Sequence, residues 1–308
     1  MKRPLRDYLV TLLLGIVIFS VVAVFLIQAA EGLMEDVVIK IGSEADPDVE
    51  QKETAEAPKT EDGGAEEPVT EEKDLAATFL LIGLDHNKQN ADAIFLVGVN
   101  ATKKQATVAL IPSNTEVSEG ATKAELGSLY GSRGVNFYKT FIQQETGVLV
   151  DYYAAMPMSA LSNLIDILGG ISYKVPTTMY YYDPYQNLKI NLKAGQQKLS
   201  GDQALQMLCY RGYSNGVEGR EDTQLGFAKS FCVTFLTPAN LSRAGAILNN
   251  MYYNCETDFD EGDLKELGEM LFNVSTYSQN YTRIPGAKGS SYYAISTSRA
   301  KAMFEAYQ

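Results

Sequence analysis

The stretch Phe79-Leu-Leu-Ile-Gly-Leu84 is a continuous apolar run that ends in a polar cluster, and two similar runs follow it along the chain. The second is Ala93-Ile-Phe-Leu-Val-Gly-Val-Asn100, and the third is Thr107-Val-Ala-Leu-Ile-Pro112. Short apolar runs without alternation are typical of strands that are buried on both faces of a sheet. These three stretches therefore predict the centre of a β-sheet.

Helical and strand patterns alternate after these runs. Ser159 and Ser200 are predicted N-caps, and Gly169 with Gly170 is predicted to end the helix that Ser159 begins. Helices are predicted at Thr122–Tyr130, Asn136–Glu145, Ser159–Leu168, Ser200–Leu208 and Asp222–Leu236, and strands at Asp151–Met156 and Ile171–Val175. The alternation predicts an α/β fold with a mixed central β-sheet sandwiched by helices.

An uncharged apolar run of 22 residues covers residues 9–30, just after Lys2, Arg3 and Arg6. As a helix it would be about 33 Å long, enough to cross the hydrocarbon core of a bilayer. Basic residues on its short N-terminal side favour a cytoplasmic N-terminus. The sequence thus predicts a cytoplasmic stub (1–7), a single-pass membrane anchor (8–30) and an extracytoplasmic remainder. A cleaved signal peptide is the alternative, although its apolar region is usually shorter.

The negative charge of the chain lies almost entirely between this run and the first strand. Residues 31–74 hold 16 acidic residues against four lysines, whereas residues 75–308 hold 21 acidic against 19 basic residues. A segment so acidic and so poor in apolar residues predicts a disordered linker. Residues 75–308 are compatible with one large domain. Their near-neutral charge gives no electrostatic footprint for nucleic acid.

Three cysteines, Cys209, Cys232 and Cys255, lie 23 residues apart, a spacing that matches no metal-ligand pattern. Buried thiols are one interpretation, and one disulfide with a free thiol is the other.

Two aspartates are the strongest candidates for a metal-binding or catalytic site. Asp85 follows the first predicted strand, and Asp92 precedes the second, with the only histidine, His86, in the loop between them. Two carboxylates at neighbouring strand ends are able to converge on a hard divalent cation that also binds substrate phosphate. The alternative is that both are ordinary turn residues and that His86 is a solvated loop residue.

The ordered set of motifs resembles the LytR–CpsA–Psr family, also called the cell envelope-related transcriptional attenuator domain. Its patterns run roughly L-L-G-x-D, R-S-D-T, S-I-P-R-D-T, D-Y-Y, L-G-G-I-x-V-x-V and L-x-x-G-x-x-x-L-x-G-x-x-A-L. The matching stretches here are Leu81–Asp85, Ala91–Val97, Ala109–Thr115, Asp151–Tyr153, Leu168–Val175 and Leu192–Leu205, and the tail Arg283–Ala287 with Tyr292 and Tyr293 also resembles the family. The anchor and the linker fit the same pattern.

The resemblance implies a membrane-anchored phosphotransferase with an α-β-α domain. Family members transfer a glycopolymer, such as teichoic acid or capsule, from a polyprenyl pyrophosphate carrier to peptidoglycan. By this resemblance Asp85 and Asp92 would hold Mg²⁺, and Asp92 and Arg211 would be catalytic. Arg211, Arg220 and Ser113 would bind the phosphate groups, and the lipid tail would need an apolar tunnel. The attenuator name implies no binding of nucleic acid here.

The chain departs from the family at most of its arginines. Asn90, Ser113 and Cys209 stand where the family has arginine, and Asn114 replaces an aspartate. Further along, Glu221 and Gln224 replace Asp and Arg in one register, and Arg220 is one position away. Each charged hydrogen bond to a buried anion contributes about 1.5–3 kcal/mol, so several losses would weaken binding or turnover greatly.

Three functions are therefore compatible with the sequence. The first is a divergent transferase. The second is a catalytically impaired relative that binds lipid-linked glycan and acts as a scaffold or regulator. The third is a purely structural envelope protein in which the acidic linker is the functional part.

Overall fold

The computed structural model describes residues 75–183, 188–235, 240, 243–259, 263, 270 and 274–308. The predicted stub (1–7), anchor (8–30) and linker (31–74) lie outside these residues. Among the helices that are described, none is both long and apolar enough to cross a membrane.

The elements are numbered in chain order. The strands are β1 Ala76–Leu84, β2 Ala91–Asn100, β3 Gln105–Ile111, β4 Glu116–Glu119, β5 Thr122–Glu125, β6 Tyr152–Pro157, β7 Ile171–Val175, β8 Met179–Asp183, β9 Leu188–Leu192, β10 Gly195–Leu199, β11 Glu256–Thr257, β12 Ser278–Arg283, β13 Gly286–Lys288 and β14 Tyr293–Ile295. The α-helices are α1 Tyr130–Thr146, α2 Met158–Ile167, α3 Gly201–Cys209, α4 Val217–Phe235, α5 Ala244–Asn254 and α6 Thr297–Phe304.

The central sheet has the strand order β11-β6-β1-β2-β3-β12. Strand β2 is antiparallel to both β1 and β3, whereas β6 is parallel to β1 and β12 is parallel to β3. The carboxyl ends of β1, β3, β6 and β12 therefore meet at one end of the sheet, which is where ligand sites of α/β folds usually lie. The predicted mixed sheet, with the three apolar runs at its centre, is confirmed.

Helices cover both faces of this sheet. On one face Leu80, Ile94 and Leu96 pack in a single buried cluster with Tyr138 of α1 and Phe304 of α6. On the other face Phe79 and Val99 pack with Met270 and Val274, and Met156 of β6 packs against Leu164 of α2. Burial of these side chains is the main force that holds the layers together.

A second, smaller cluster holds two antiparallel ribbons to the helices that precede and follow them. Strand β7 pairs with β10, and β8 pairs with β9. Met179, Ile190 and Leu199 from these ribbons are buried with Met207 of α3 and Phe227 of α4. This cluster fixes α3, which ends two residues before Arg211, and α4, which contains Arg220.

The predicted helix at Thr122–Tyr130 is wrong. Residues Thr122–Glu125 form β5 and pair with β4, a 3₁₀ turn covers Leu126–Leu129, and α1 begins at Tyr130. The amide of Leu126 donates to the carbonyl of Thr115, and the Leu126 side chain is fully buried. Tertiary pairing and core burial thus override the local helical periodicity.

The other helix boundaries follow capping chemistry. Ser200 and Gln203 form a capping box at α3, as the Ser200 cap predicted. Gly169 and Gly170 both have positive φ at the end of α2, which confirms the predicted stop. Ser159 is not an N-cap, because α2 begins at Met158 directly after Pro157, the last residue of β6.

Candidate functional site

Asp92 occupies a β-bulge at the start of β2. Gly83 of β1 is opposite Ala93, whereas the next residue, Leu84, is opposite Ala91. Asp92 is therefore the extra residue, without a partner in the β1 ladder. Bulges redirect side chains and free a backbone group from the ladder.

Helix α4 binds the backbone of this bulge. The Nη2 group of Arg220 and the Nε2 group of Gln224 both donate to the carbonyl oxygen of Asp92, at 2.8 and 3.0 Å. Residues four apart in a helix share one face, so α4 presents both donors together. The bulge supplies the acceptor, and the helix supplies the donors.

The carboxylate of Asp92 meets two guanidinium groups. Its Oδ1 atom is 3.2 Å from Nη2 of Arg211 and 3.6 Å from Nη2 of Arg220. The Arg220 side chain is 12% exposed, whereas that of Arg211 is 73% exposed. Ser113 Oγ lies 3.5 Å from Arg220 Nη2, at the long limit of a hydrogen bond. We call Asp92, Arg211, Arg220 and Ser113 the arginine–aspartate cluster.

Cys209 lies at the end of α3, beside this cluster. Burial, and then the Asp92 charge, raise the pKa of its thiol to about 11, although Arg211 and Arg220 act in the opposite direction. The thiol is therefore neutral at physiological pH and does not replace the positive charge of an arginine. Burial and then the neighbouring Arg211 lower the pKa of Arg220, but a guanidinium remains charged in any protein.

Asp85 lies at the same end of the sheet, but its carboxylate is bound within its own loop. Oδ1 accepts from the amide of Gln89 at 2.8 Å, and Oδ2 accepts from Nδ2 of Asn90 at 2.7 Å. His86 is exposed in this loop. Asp85 thus closes the turn between β1 and β2 while Asp92 faces the arginines.

A Mg²⁺ site fits these two residues only in part. Within the described ranges no group of three or more His, Cys, Asp or Glu side chains is arranged to hold a metal ion. Mg²⁺ is often bound by one or two carboxylates together with substrate phosphates and water. Asp92 and Asp85 have that donor chemistry, since each carboxylate oxygen keeps a lone pair beyond its present contacts.

An ion pair between a buried glutamate and a partly exposed arginine, next to the cluster, is the feature that sequence reasoning missed. Arg283, the last residue of β12, places Nη2 2.6 Å from Oε2 of Glu221 on α4, and the Glu221 side chain is 8% exposed. Burial raises the pKa of Glu221, and Arg283 partly opposes that rise. A cleft of about 50 Å³ lies beside the pair, lined in part by Asn114 and Lys288. The register of β12 beside β3, which sequence patterns do not give, creates this contact.

The three cysteines are free thiols of intermediate burial. The disulfide interpretation is therefore wrong for this structure.

The fold and the cluster define an α/β sandwich protein with an arginine–aspartate cluster at the carboxyl end of its central sheet. The LytR_cpsA_psr family model matches residues 41–308. The chain belongs to the LytR_cpsA_psr family.

Relatives with known names extend this finding. The chain is 24% identical over 293 residues to the polyisoprenyl-teichoic acid–peptidoglycan teichoic acid transferase TagU of Oceanobacillus iheyensis, covering 91% of this chain and 84% of the relative. For two other curated relatives the match spans only about half of their length, 47% and 53%.

Solved structures share the fold. The crystal structure of Bacillus subtilis TagV has a TM-score of 0.61 at 18% identity, covering 76% of this chain and 98% of TagV. The structure of TagT bound to LI-WTA has a TM-score of 0.55 at 17% identity, covering 77% of this chain and 90% of TagT.

Proposed function

We propose that this protein binds a polyprenyl-(pyro)phosphate-linked glycopolymer outside the cell membrane and transfers it to peptidoglycan. Residues 8–30 would anchor the chain in the membrane, with residues 1–7 in the cytoplasm. Membership of the family supports the proposal, as do the name of the transferase TagU and the TagT complex with LI-WTA.

The observation that carries the proposal is the convergence of Arg211 and Arg220 on Asp92. Two guanidinium groups face one carboxylate, so the cluster keeps an excess positive charge for an anionic ligand. Arg220 is mostly shielded from solvent and is held in place by the bulge, whereas the exposed Arg211 is free to turn towards a phosphate. Arginine forks bind phosphate oxygens through short, charge-assisted hydrogen bonds.

The reaction is a phosphoryl transfer between two oxygens. A sugar hydroxyl of peptidoglycan attacks the phosphorus next to the glycopolymer, a new P–O bond forms, and the bond to the carrier's phosphate breaks. Polyprenyl phosphate leaves, and the hydroxyl proton is lost to water. Arg211 and Arg220 stabilise the charge that develops on the phosphoryl oxygens.

Mg²⁺ is part of this proposal. Asp92 and Asp85 would hold it, and when bound it would neutralise pyrophosphate charge. The protein's own contribution is to keep the two carboxylates at one end of the sheet and to fix Arg220 beside them.

The second candidate is a relative that binds the same lipid-linked glycan without turning it over. The observation that favours it is the neutral thiol of Cys209 at the site, where the family resemblance places an arginine. Both candidates bind the same anion, and only turnover separates them.

A transfer assay with the full chain in detergent tests both candidates. The donor is a polyprenyl-pyrophosphate glycan with a labelled sugar, and the acceptor is peptidoglycan. Arg133→Ala is the control, because Arg133 pairs with Glu119 and not with a residue of the arginine–aspartate cluster. The transferase proposal requires transfer in the wild type and its loss in Asp92→Ala. Copurified polyprenyl lipid without transfer, together with a gain of transfer in Cys209→Arg, would establish the second candidate instead.

A further inference from the structure

The ribbon of β8 and β9 exposes an unusual run of tyrosines. Tyr180, Tyr181 and Tyr182 are 73%, 48% and 62% exposed, and they are consecutive. Single exposed apolar residues are common on protein surfaces, but three neighbouring large rings on one ribbon point to an interaction surface.

The strand register sorts these side chains by face. Tyr180 is opposite Asn191 and Tyr182 is opposite Lys189, and all four are exposed. The alternate positions Met179, Ile190 and Leu192 are buried in the second core cluster. Since side chains alternate along a strand, Tyr180, Tyr182, Lys189 and Asn191 form one outward surface, which we call the tyrosine face.

The charge around the tyrosine face differs from that of the rest of the domain. Residues 169–201 contain four lysines and one aspartate, a net charge of +3. Because residues 75–308 carry −2 in total, the remainder of the domain carries −5. An anionic surface would therefore attract the segment that contains the tyrosine face more than the remainder of the domain.

Tyrosine and lysine together are the residue types that settle at the surface of a bilayer. The ring of tyrosine fits the headgroup region, with its hydroxyl in water, and lysine extends an amine from an apolar stem. We propose that the tyrosine face docks on an anionic lipid surface. This inference rests on the membrane location in the proposed function, but not on the chemistry at the cluster.

Docking in this way would also place the candidate site near the membrane. The amide of Asn191 donates to Oε1 of Gln206 on α3, at 3.0 Å. Helix α3 ends at Cys209, two residues before Arg211. A ribbon resting on the bilayer would thus hold the end of α3, and Arg211 just beyond it, close to a lipid carrier.

Photolabelling in nanodiscs tests the proposal. The full chain is mixed with discs of phosphatidylcholine alone, or with added phosphatidylglycerol, that contain a headgroup-azido phospholipid. Labelled peptides are then mapped by mass spectrometry. We expect labelling of the β8–β9 ribbon in the anionic discs, and at least about five-fold less after Lys189→Glu, since the loss of one lysine near an anionic surface contributes about that factor and the new negative charge adds to it. High salt should lower it as well.

Matched variants identify the face. Tyr180→Ser with Tyr182→Ser should remove most of the labelling, whereas Tyr253→Ser, an exposed tyrosine on α5, and Lys104→Glu, an exposed lysine in the β2–β3 turn, should leave it unchanged. Asp92→Asn should also leave it unchanged, which separates this proposal from the catalytic one. An unlabelled ribbon, or equal labelling in neutral and anionic discs, would overturn the proposal. So would labelling of the ribbon by a soluble, azido-labelled polyol-phosphate polymer in neutral discs, which would show a glycopolymer surface.

Discussion

Asp92 and Asp85 lie at the same end of one sheet, seven positions apart in the chain, yet their carboxylates have different partners. Asp85 accepts two hydrogen bonds from the turn that follows it, at 2.8 and 2.7 Å, and holds that turn closed. Asp92 sits in the bulge, where its carbonyl and its carboxylate both meet cations from other elements. The extra residue in β2 therefore directs the Asp92 carboxylate towards the arginines, whereas the Asp85 carboxylate stays hydrogen-bonded within its own loop.

The largest effect should come from Arg220, the less exposed of the two arginines. Arg220→Ala removes a hydrogen bond to the Asp92 carbonyl and a charge next to its carboxylate. We expect transfer or lipid binding to fall at least about 10-fold, and the free energy of unfolding to fall by about 1.5–3 kcal/mol. Arg211→Ala should reduce transfer without affecting stability, because its side chain is exposed. Equal thermal stability of Arg220→Ala and wild type would show that the bulge contact is not structural.

A paired substitution compares the two aspartates directly. Asp92→Asn removes the carboxylate that positions Arg211 and Arg220 next to each other, so transfer should be lost at all Mg²⁺ concentrations. Asp85→Asn keeps an acceptor for the Gln89 amide, so we expect a stability loss of only about 1 kcal/mol. If Asp85 also binds Mg²⁺, this variant should regain transfer when Mg²⁺ is raised. A Mg²⁺ titration of the transfer rate measures both, and identical curves for Asp85→Asn and wild type would exclude Asp85 as a ligand.

The ion pair beside the cluster should give a smaller, pH-dependent effect. Burial raises the pKa of Glu221 in the folded chain, so folding favours its protonated form. Its contribution to stability is therefore complete at low pH and is lost as pH rises through the folded pKa. Glu221→Gln with Arg283→Met should remove this dependence. Urea unfolding across the acidic range measures it, and parallel pH curves for variant and wild type would contradict the account.

The smallest effect concerns Cys209. Because the pKa of its thiol is about 11, alkylation by iodoacetamide should be slow at neutral pH and should accelerate only in strong alkali. Site-resolved mass spectrometry follows the reaction. Fast modification of Cys209 at neutral pH would show a thiolate stabilised by Arg211, contrary to the environment described.

Sequence patterns predicted the parts of the fold that depend on local signals. The three apolar runs became β1, β2 and β3, and Ser200 and Gly169 marked helix ends, because hydrophobic burial and capping are encoded within a few residues. The Thr122–Tyr130 helix was wrong, since Leu126 is drawn into the core and Glu125 is paired across a hairpin. Such pairing depends on residues distant in the chain.

The candidate site was likewise predicted only in part. Asp85 and Asp92 were found from their positions at strand ends, and Arg211 and Arg220 from a family resemblance. The bulge at Asp92, the Gln224 contact and the Glu221–Arg283 pair were not predicted. Each depends on how elements pair in the folded chain. The bulge depends on the register between β1 and β2, the Gln224 contact on which face of α4 meets β2, and the Glu221–Arg283 pair on the placement of β12 beside β3.

The most direct test is titration calorimetry of geranyl pyrophosphate, a short polyprenyl pyrophosphate, with the full chain in detergent and Mg²⁺. The account predicts saturable binding by the wild type and by Arg133→Ala, and binding weakened at least about 10-fold in the Arg211→Ala, Arg220→Ala double variant. Unchanged affinity in a folded double variant would contradict the claim that these two arginines bind the phosphates.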